Sequence, residues 1–266
     1  MEKMIIMEAL PVAELSRLGL YEDGKHLLSD EDIAALLAGR RTSLVNLKNL
    51  IGEAFTIESL DVKLSLHHSE PWEDEIMLHP IYKEIKLAKG MAEEELWPIL
   101  TGEQTNLVKV VHDPETGVDQ THVFEYDVET KEFIFYNPLK VIVPFQVNGE
   151  KLDEKQRQDF AHGKIIKLSD GTKFQYMSSL PKGIVSTRSA LILSMSDEGN
   201  SPSFLLENIA PLKISSAQEK PFSPAFESAF LQMRKSEGVY SEEILRMELN
   251  DLKNDYHSPL GLGSSR

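Results

Sequence analysis

The 266-residue chain contains no cysteine. That excludes a disulfide framework, a thiolate zinc site, an iron–sulfur cluster and a cysteine nucleophile, and it fits a reducing compartment. Long apolar runs are also missing. None approaches the ~18 residues that a membrane-crossing helix needs. The apolar run that opens the chain is broken at Glu8 and is too short for a signal-peptide core. The expectation is a protein with no membrane role, made and kept in the cytoplasm of its host cell. Phosphate-binding glycine loops, a Gly-x-Ser-x-Gly elbow and a His-Glu-x-x-His helix are all absent from the sequence. Gly261-Leu262-Gly263 lies in a Gly/Ser-rich tail with no strand before it, so it does not make a dinucleotide loop.

Positive charge is in short supply. Lys and Arg number 28 against 43 Asp and Glu, for a net charge of −15. The excess is concentrated. From Glu70 to Glu132 there are 16 acids and 5 bases, which places −11 of the −15 in that stretch. A field of that sign repels phosphate backbones, so direct nucleic-acid binding is disfavoured. A solvated, solubilising face is the plain explanation, and a docking face for a basic protein partner is the sharper one. Glu125 and Asp127 share strand parity, as does Glu129 if the strand runs on, and they are expected to stand exposed in one row, alongside Glu115 and Asp119.

What is present is enough for folding. Hydrophobic residues make up 41% of the chain, and they recur with recognisable periods. Pro11 opens a short helix, Val12–Leu18, that Gly19 stops. Ser29 caps a second, with Asp30, Glu31 and Asp32 in its positive first turn, Ile33, Leu36 and Leu37 as its buried stripe, and Gly39 past its end. Arg40 and Arg41 are expected to complement the helix's negative terminus, ahead of gripping a phosphate. Leu60, Val62, Leu64 and Leu66 alternate with Asp61, Lys63, Ser65 and His67, which predicts a half-wet strand pairing with Ile76–Ile85.

Farther on, a helix Ala92–Leu100 ends at Gly102. Strand Leu107–His112, the turn Asp113–Gly117 and strand Thr121–Tyr126 follow. The order then recurs as helix Asp153–Ala161, Gly163, strand Lys164–Leu168, the Asp170-Gly171 turn (expected as type I′) and strand Lys173–Met177. This reads as a possible duplicated α-β-β unit or as ordinary element linkage. Glu132–Tyr136, Val141–Phe145 and Ile184–Leu193 complete the expected strands. The fold class expected is α+β, with mainly antiparallel sheets, short helices and a C-terminal helical arm. The expected divisions are residues 1–90, 91–214 and 215–266.

The arm begins after a linker-like stretch, Ser215–Pro221. Ser223 and Pro224 start a helix reaching Lys235, with Phe222, Phe226 and Phe230 at every fourth residue and Met233 extending the row. Ser241 caps a second helix, Glu242–Asn254, with Tyr240 and Leu245 at staple spacing and Leu245, Leu249 and Leu252 on one face. Helices this short must bury their stripes against something. Two readings stand: the arm covers a sheet face of its own chain, or these residues dock a partner in a helix-in-groove contact.

No catalytic, cofactor or metal residue is assigned. His67, His68 and His79 with Glu70 could approach zinc geometry, but His67 and His68 point to opposite faces of a strand. Glu93–Glu95 are explained by the helix dipole. Asp113, Glu115 and Asp119 lack calcium-loop spacing. Trp72 and Trp97 read as packing residues.

Leu100-Thr101-Gly102, Val108–Val111, Pro114–Gly117, Asp127–Phe133, Val143-Pro144, Val147–Leu152, Gln156, Gly163-Lys164 and Gly171–Phe174, in that order, resemble a family of uncharacterised domains. Such domains are found in gut-dwelling anaerobic bacteria, often on conjugative or other mobile elements and sometimes attached to topoisomerase-like proteins. Leu15–Leu18, Leu36–Thr42, Leu60–Leu66 and His79–Glu84 resemble the domain that commonly precedes it. The likeness spans roughly residues 10–195 and implies genomic company, with no catalytic residue to carry over. Together these features lead to the expectation of a non-catalytic accessory or assembly protein of a bacterial mobile element or phage, acting through protein–protein contacts. The alternatives are a structural virion or cargo protein, an acidic inhibitor of a DNA-binding enzyme, and a hydrolase or nuclease with a scattered site. The oligomeric state is left open.

Overall fold

The structure, a computed structural model, describes residues 10–51, 56–69, 73–88, 91–112, 117–196, 203–212 and 222–255. The linker 215–221, the tail 257–266, Trp72, Glu70, Asp113 and Glu115 lie outside them. The described residues form six α-helices and sixteen strands, an α+β fold whose sheets are mainly antiparallel. Chain contacts divide it into two compact units: residues 1–142 with 177–183, and residues 143–176 with 184–266. The sequence placed a boundary near residue 90, which falls inside the first unit, and it set the arm apart from the segment it joins in the second.

The first unit opens with α1 (Val12–Arg17), the small hairpin of β1 (Tyr21–Glu22) and β2 (Lys25–His26), and α2 (Asp30–Leu37). Ser29 caps α2 as expected, its hydroxyl accepting from the Asp32 N–H at 3.0 Å. Next come β3 (Val45–Ile51), β4 (Thr56–Ser69) and β5 (Glu73–Pro80), an antiparallel sheet in the order β3-β4-β5. Val62, Leu64 and Leu66 point to one face of β4 and close a core with Leu15, Leu36 and Leu47. The strand β3 was not foreseen, because the alternation of Val45–Lys48 is broken at Asn49, which takes positive φ (53°) and leaves the pairing with β4 there.

The helix α3 (Glu93–Leu100) packs on a second sheet, β6 (Asn106–His112), β7 (Asp119–Asp127) and β8 (Glu132–Tyr136). Leu96, Ile99, Phe124 and Phe133 form that core. Trp97, expected to pack, is 57% exposed. After β8 the chain turns through a 3-10 helix, Pro138–Lys140, and no strand forms at Val141–Phe145.

In the second unit β9 (Gln146–Val147) and β10 (Glu150–Lys151) flank Asn148 and Gly149, both at positive φ (51° and 78°), the backbone that a two-residue type I′ turn demands. The helix α4 (Glu154–Ala161) has a capping box between Asp153 and Gln156. The strands β11 (Ile166–Lys167) and β12 (Lys173–Tyr176) follow, as the repeat pattern predicted. Between them only Gly171 has positive φ, at +84°, while Asp170 does not, so this turn is not type I′. The expected strand Ile184–Leu193 is two: β13 (Ile184–Ser186) and β14 (Leu191–Ser194). They enter different sheets with β15 (Ser203–Leu206) and β16 (Ala210–Pro211), in the orders β10-β9-β14-β15 and β11-β12-β13-β16. The β13–β16 pair is parallel.

The arm supplies α5 (Pro224–Ser236) and α6 (Glu242–Asp255), within two residues of the expected bounds. It lies on its own chain. Phe226, Phe230, Met233 and Leu249 share a core with Ala190 and Ile192 around β14, flanked by Phe222, Leu205 and Leu252, and Leu245 is buried as well. The apolar row read as a partner-binding surface is therefore spent in cis. Tyr240 is 77% exposed, so little of the expected staple against Leu245 is realised.

Candidate functional site

The strand β4 turns Lys63 away from the leucine core, onto the face the alternation predicted to be wet. That position is dry: Lys63 is 0% exposed. Its Nζ donates to Asp127 Oδ1 at 3.0 Å and to the Ser179 carbonyl at 2.9 Å, and it lies 2.7 Å from Glu129 Oε2. Three partners match the three protons of an ammonium group.

Arg41, just past the end of α2, does not serve as a helix-end charge. It is buried, and its guanidinium reaches Asp127 Oδ2 at 3.3 Å, the Thr130 hydroxyl at 3.2 Å and Glu132 Oε2 at 2.7 Å. Arg40 Nε donates to the Pro181 carbonyl at 3.0 Å. Glu132 also holds Lys86 Nζ at 2.7 Å. Lys63, Arg41 and Lys86 thus face Asp127, Glu129 and Glu132 with equal and opposite charge.

These side chains come from separate parts of the first unit. β4 and the α2–β3 connection carry cations, the β7–β8 hairpin carries acids, and the 177–183 segment adds backbone groups. Asp127 Oδ1 also accepts the Glu129 N–H at 3.1 Å, closing the hairpin turn from within.

His79, on β5, joins the group. Its Nδ1 lies 3.0 Å from Arg41 Nη2 and 3.3 Å from Glu132, and its Nε2 lies 2.7 Å from the Ser65 hydroxyl. Burial lowers its pKa, the Glu132 hydrogen bond works in the opposite sense, and the Arg41 charge lowers it further. Burial opposes ionisation of Glu132, but hydrogen bonds from His79 and Lys86 and the Arg41 charge outweigh it and hold this carboxyl below the usual range.

Glu125 is the surplus acid. It is 1% exposed, and its Oε1 accepts the Ser179 N–H at 2.5 Å. Burial pushes its pKa up to about 7; Ser179 and Ser178 hydrogen bonds oppose that rise and repulsion from Asp127 adds to it. The acidic row predicted for β7 is thus turned inward at Glu125 and Asp127, and Glu129 is half-exposed and paired. Asp119 does stand exposed, with His112 Nδ1 2.8 Å away. Equal strand parity was read correctly for Glu125 and Asp127, while the strand ends at Asp127 and leaves Glu129 in the turn; the face was not read correctly, because the buried cations come from distant sequence. The one local signal was a lone Lys63 and a paired Arg40-Arg41 in a stretch otherwise poor in bases. Chemically the cluster is a clasp between the two sheets, with its donors consumed by its own acceptors.

Among the described residues no group of three or more His, Asp or Glu is placed to hold a metal ion. No described helix is long and apolar enough to cross a membrane.

The second unit carries a different feature. Asp170, read as a turn residue, accepts the Thr172 N–H at 2.9 Å and the Ser223 hydroxyl at 2.5 Å, while Ser223 Oγ accepts the Phe226 N–H at 3.1 Å. One hydroxyl thereby caps α5 and fastens the arm. Outside this seam, β15, α5 and α6 border an open groove of about 530 Å³. Phe204, Leu205 and Leu252 expose apolar surface in it, and Glu207, Glu237, Glu248 and Asp251 stand around it. Arg234, the one cation among the groove residues, is clamped by Glu248 at 2.8 and 2.7 Å and by Glu237.

The fold is thus that of an α+β protein with an internal ionic clasp and a surface groove. Residues 6–90, about a third of the chain, match a family described as a protein of unknown function, DUF4099. That match covers the α1–β5 portion, where the sequence resembled an uncharacterised domain. No curated protein and no solved structure matches the chain.

Proposed function

We propose that this chain is a non-catalytic accessory or assembly protein that works through protein–protein contacts. The observation that carries the reading is the groove of the second unit. It keeps apolar side chains at the surface, Phe204 at 43% exposure with Leu205 and Leu252 half-buried beside it, after the arm has buried its own apolar row. Exposed apolar groups rimmed by polar ones are the common form of a protein interface. The clasp supports the non-catalytic side of the reading, since its ammonium, guanidinium and imidazole groups are engaged internally.

A mobile element or phage is the setting that the sequence resemblance suggests, with the host cytoplasm as the place of action. The inhibitor alternative rested on a continuous acidic face. It loses its support on β7, where Glu125 and Asp127 point inward. The test is co-expression of the full chain with the proteins encoded beside it, followed by size-exclusion chromatography. Co-elution with one of them in fixed stoichiometry is expected, and a chain that elutes alone in every pairing would overturn the reading.

A further inference from the structure

We infer that the groove bordered by α5, α6 and β15 receives a basic amphipathic segment of a partner protein, its large apolar side chains entering the groove and its Lys or Arg side chains meeting the rim. This rests on the reading of the chain as a protein-contact module and names the chemistry of the partner at that site.

The apolar part of the argument is shape. Leu205 and Leu252 are half-buried and Phe204 is exposed, so the groove offers apolar surface that a partner can still desolvate. A space of about 530 Å³ accommodates one or two large side chains. On the other side of Asp251, the outer face of α6 exposes Met247 at 58%, and Ile244 on the same helix is 45% exposed. Methionine adapts its shape to different neighbours and recurs at surfaces that accept helices.

Charge selects the class of partner. The groove's four carboxylates face one cation, and that cation is already held by two of them. The adjoining face of α6 adds Glu242 and Glu243 against Arg246. A surface with this sign repels nucleic acid and anionic membranes, both of which carry dense negative charge. It attracts a polypeptide with Lys or Arg beside its apolar anchors. Apolar area by itself would accept any greasy ligand, and the carboxylates narrow the choice.

The experiment uses the full chain and a fluorescently labelled synthetic helix of about 18 residues, with Leu on one face and Lys on the other. Two control peptides replace Lys with Glu or Leu with Ala. Anisotropy is read at about 0.05 M and about 0.5 M salt, where screening lengths differ severalfold. The Lys/Leu peptide should bind, weaken about tenfold or more at high salt, and outcompete both controls. Glu207→Lys with Asp251→Lys reverses charge at two groove positions without touching the Arg234–Glu248 pair, and should abolish binding of the Lys/Leu peptide. Phe204→Ser, checked for folding by circular dichroism, should weaken it independently. Absence of binding, equal binding of the Lys and Glu peptides, insensitivity to salt, or unchanged affinity in the charge-reversed chain would each overturn the proposal. A natural partner that co-elutes equally with wild-type and charge-reversed chains would overturn the groove while leaving the wider reading intact.

Discussion

Glu125→Gln tests the electrostatics of the clasp most directly. The carboxyl is 1% exposed, and its pKa rises from 4.5 to about 7 in the folded chain. The folded state therefore binds this proton more tightly than the unfolded state does. Its contribution to stability is fully present below about pH 4.5 and is lost as pH rises through about 7. A difference of about 2.5 pKa units corresponds to about 3 kcal/mol. At pH 8 the wild type carries that cost as a buried carboxylate next to Asp127. A glutamine keeps the shape and the acceptor for the Ser179 N–H but never ionises. We expect the substitution to be near neutral at pH 4.5 and to stabilise the first unit by about 3 kcal/mol at pH 8, most of the change falling between pH 5 and 7.

Neighbouring groups titrate too, with other signs. His79, with its lowered pKa, makes stability fall as pH drops below about 6.5. The depressed Glu132 acts in the same sense below about pH 4.5. Both are common to wild type and variant and cancel in the difference. The assay is urea unfolding followed by tryptophan fluorescence. Both tryptophans, Trp72 and Trp97, belong to the first unit, so the signal reports the clasp and not the arm. A stability difference that is the same at pH 5 and pH 8, or a variant less stable at pH 8, would refute the reasoning.

Four further outcomes are expected. Lys63→Met removes one partner of a buried pair and should cost about 3–5 kcal/mol by the same assay, and adding Asp127→Leu should recover part of the loss. A cost under about 1 kcal/mol would mean the pair is not a clasp. Ser223→Ala deletes the α5 cap and the Asp170 bond together and should cost about 1–2 kcal/mol, seen as faster amide exchange in α5 with β4 unchanged. Phe226 is 0% exposed, so Phe226→Ala should destabilise the second unit by about 3–5 kcal/mol. For the same reason truncation after Lys213 should leave that unit unfolded by circular dichroism; a truncated chain with native β14 signals would place the arm outside the core.

Local order was legible in the sequence. Caps such as Ser29 and Ser223, the glycines after α3 and α4, and the four-residue spacing of Phe222, Phe226 and Phe230 determined where helices start, stop and turn their apolar faces. Those features depend on neighbours within a turn or two of the chain. The α+β class followed from the same information, since short alternating strands joined by tight turns pair antiparallel. The strand β3 and the β9–β10 hairpin were missed, the first because its alternation breaks at Asn49, the second because each of its strands is two residues long.

What each face meets was decided only by tertiary structure. Alternation says that Lys63 and Val62 point oppositely, and that Glu125 and Asp127 share a side. It does not say which side is dry. A lysine or aspartate at such a position belongs in water unless a counter-charge is delivered to it. Here the counter-charges arrive from Arg41, Lys86 and the β7–β8 hairpin, tens of residues away. Likewise the stripe of α5 and α6 required burial, but β14 and its neighbours, and not a partner, supplied the surface. Periodicity is a property of one segment, while burial and charge pairing depend on the segment that comes to lie opposite, and that is fixed only when the chain closes on itself.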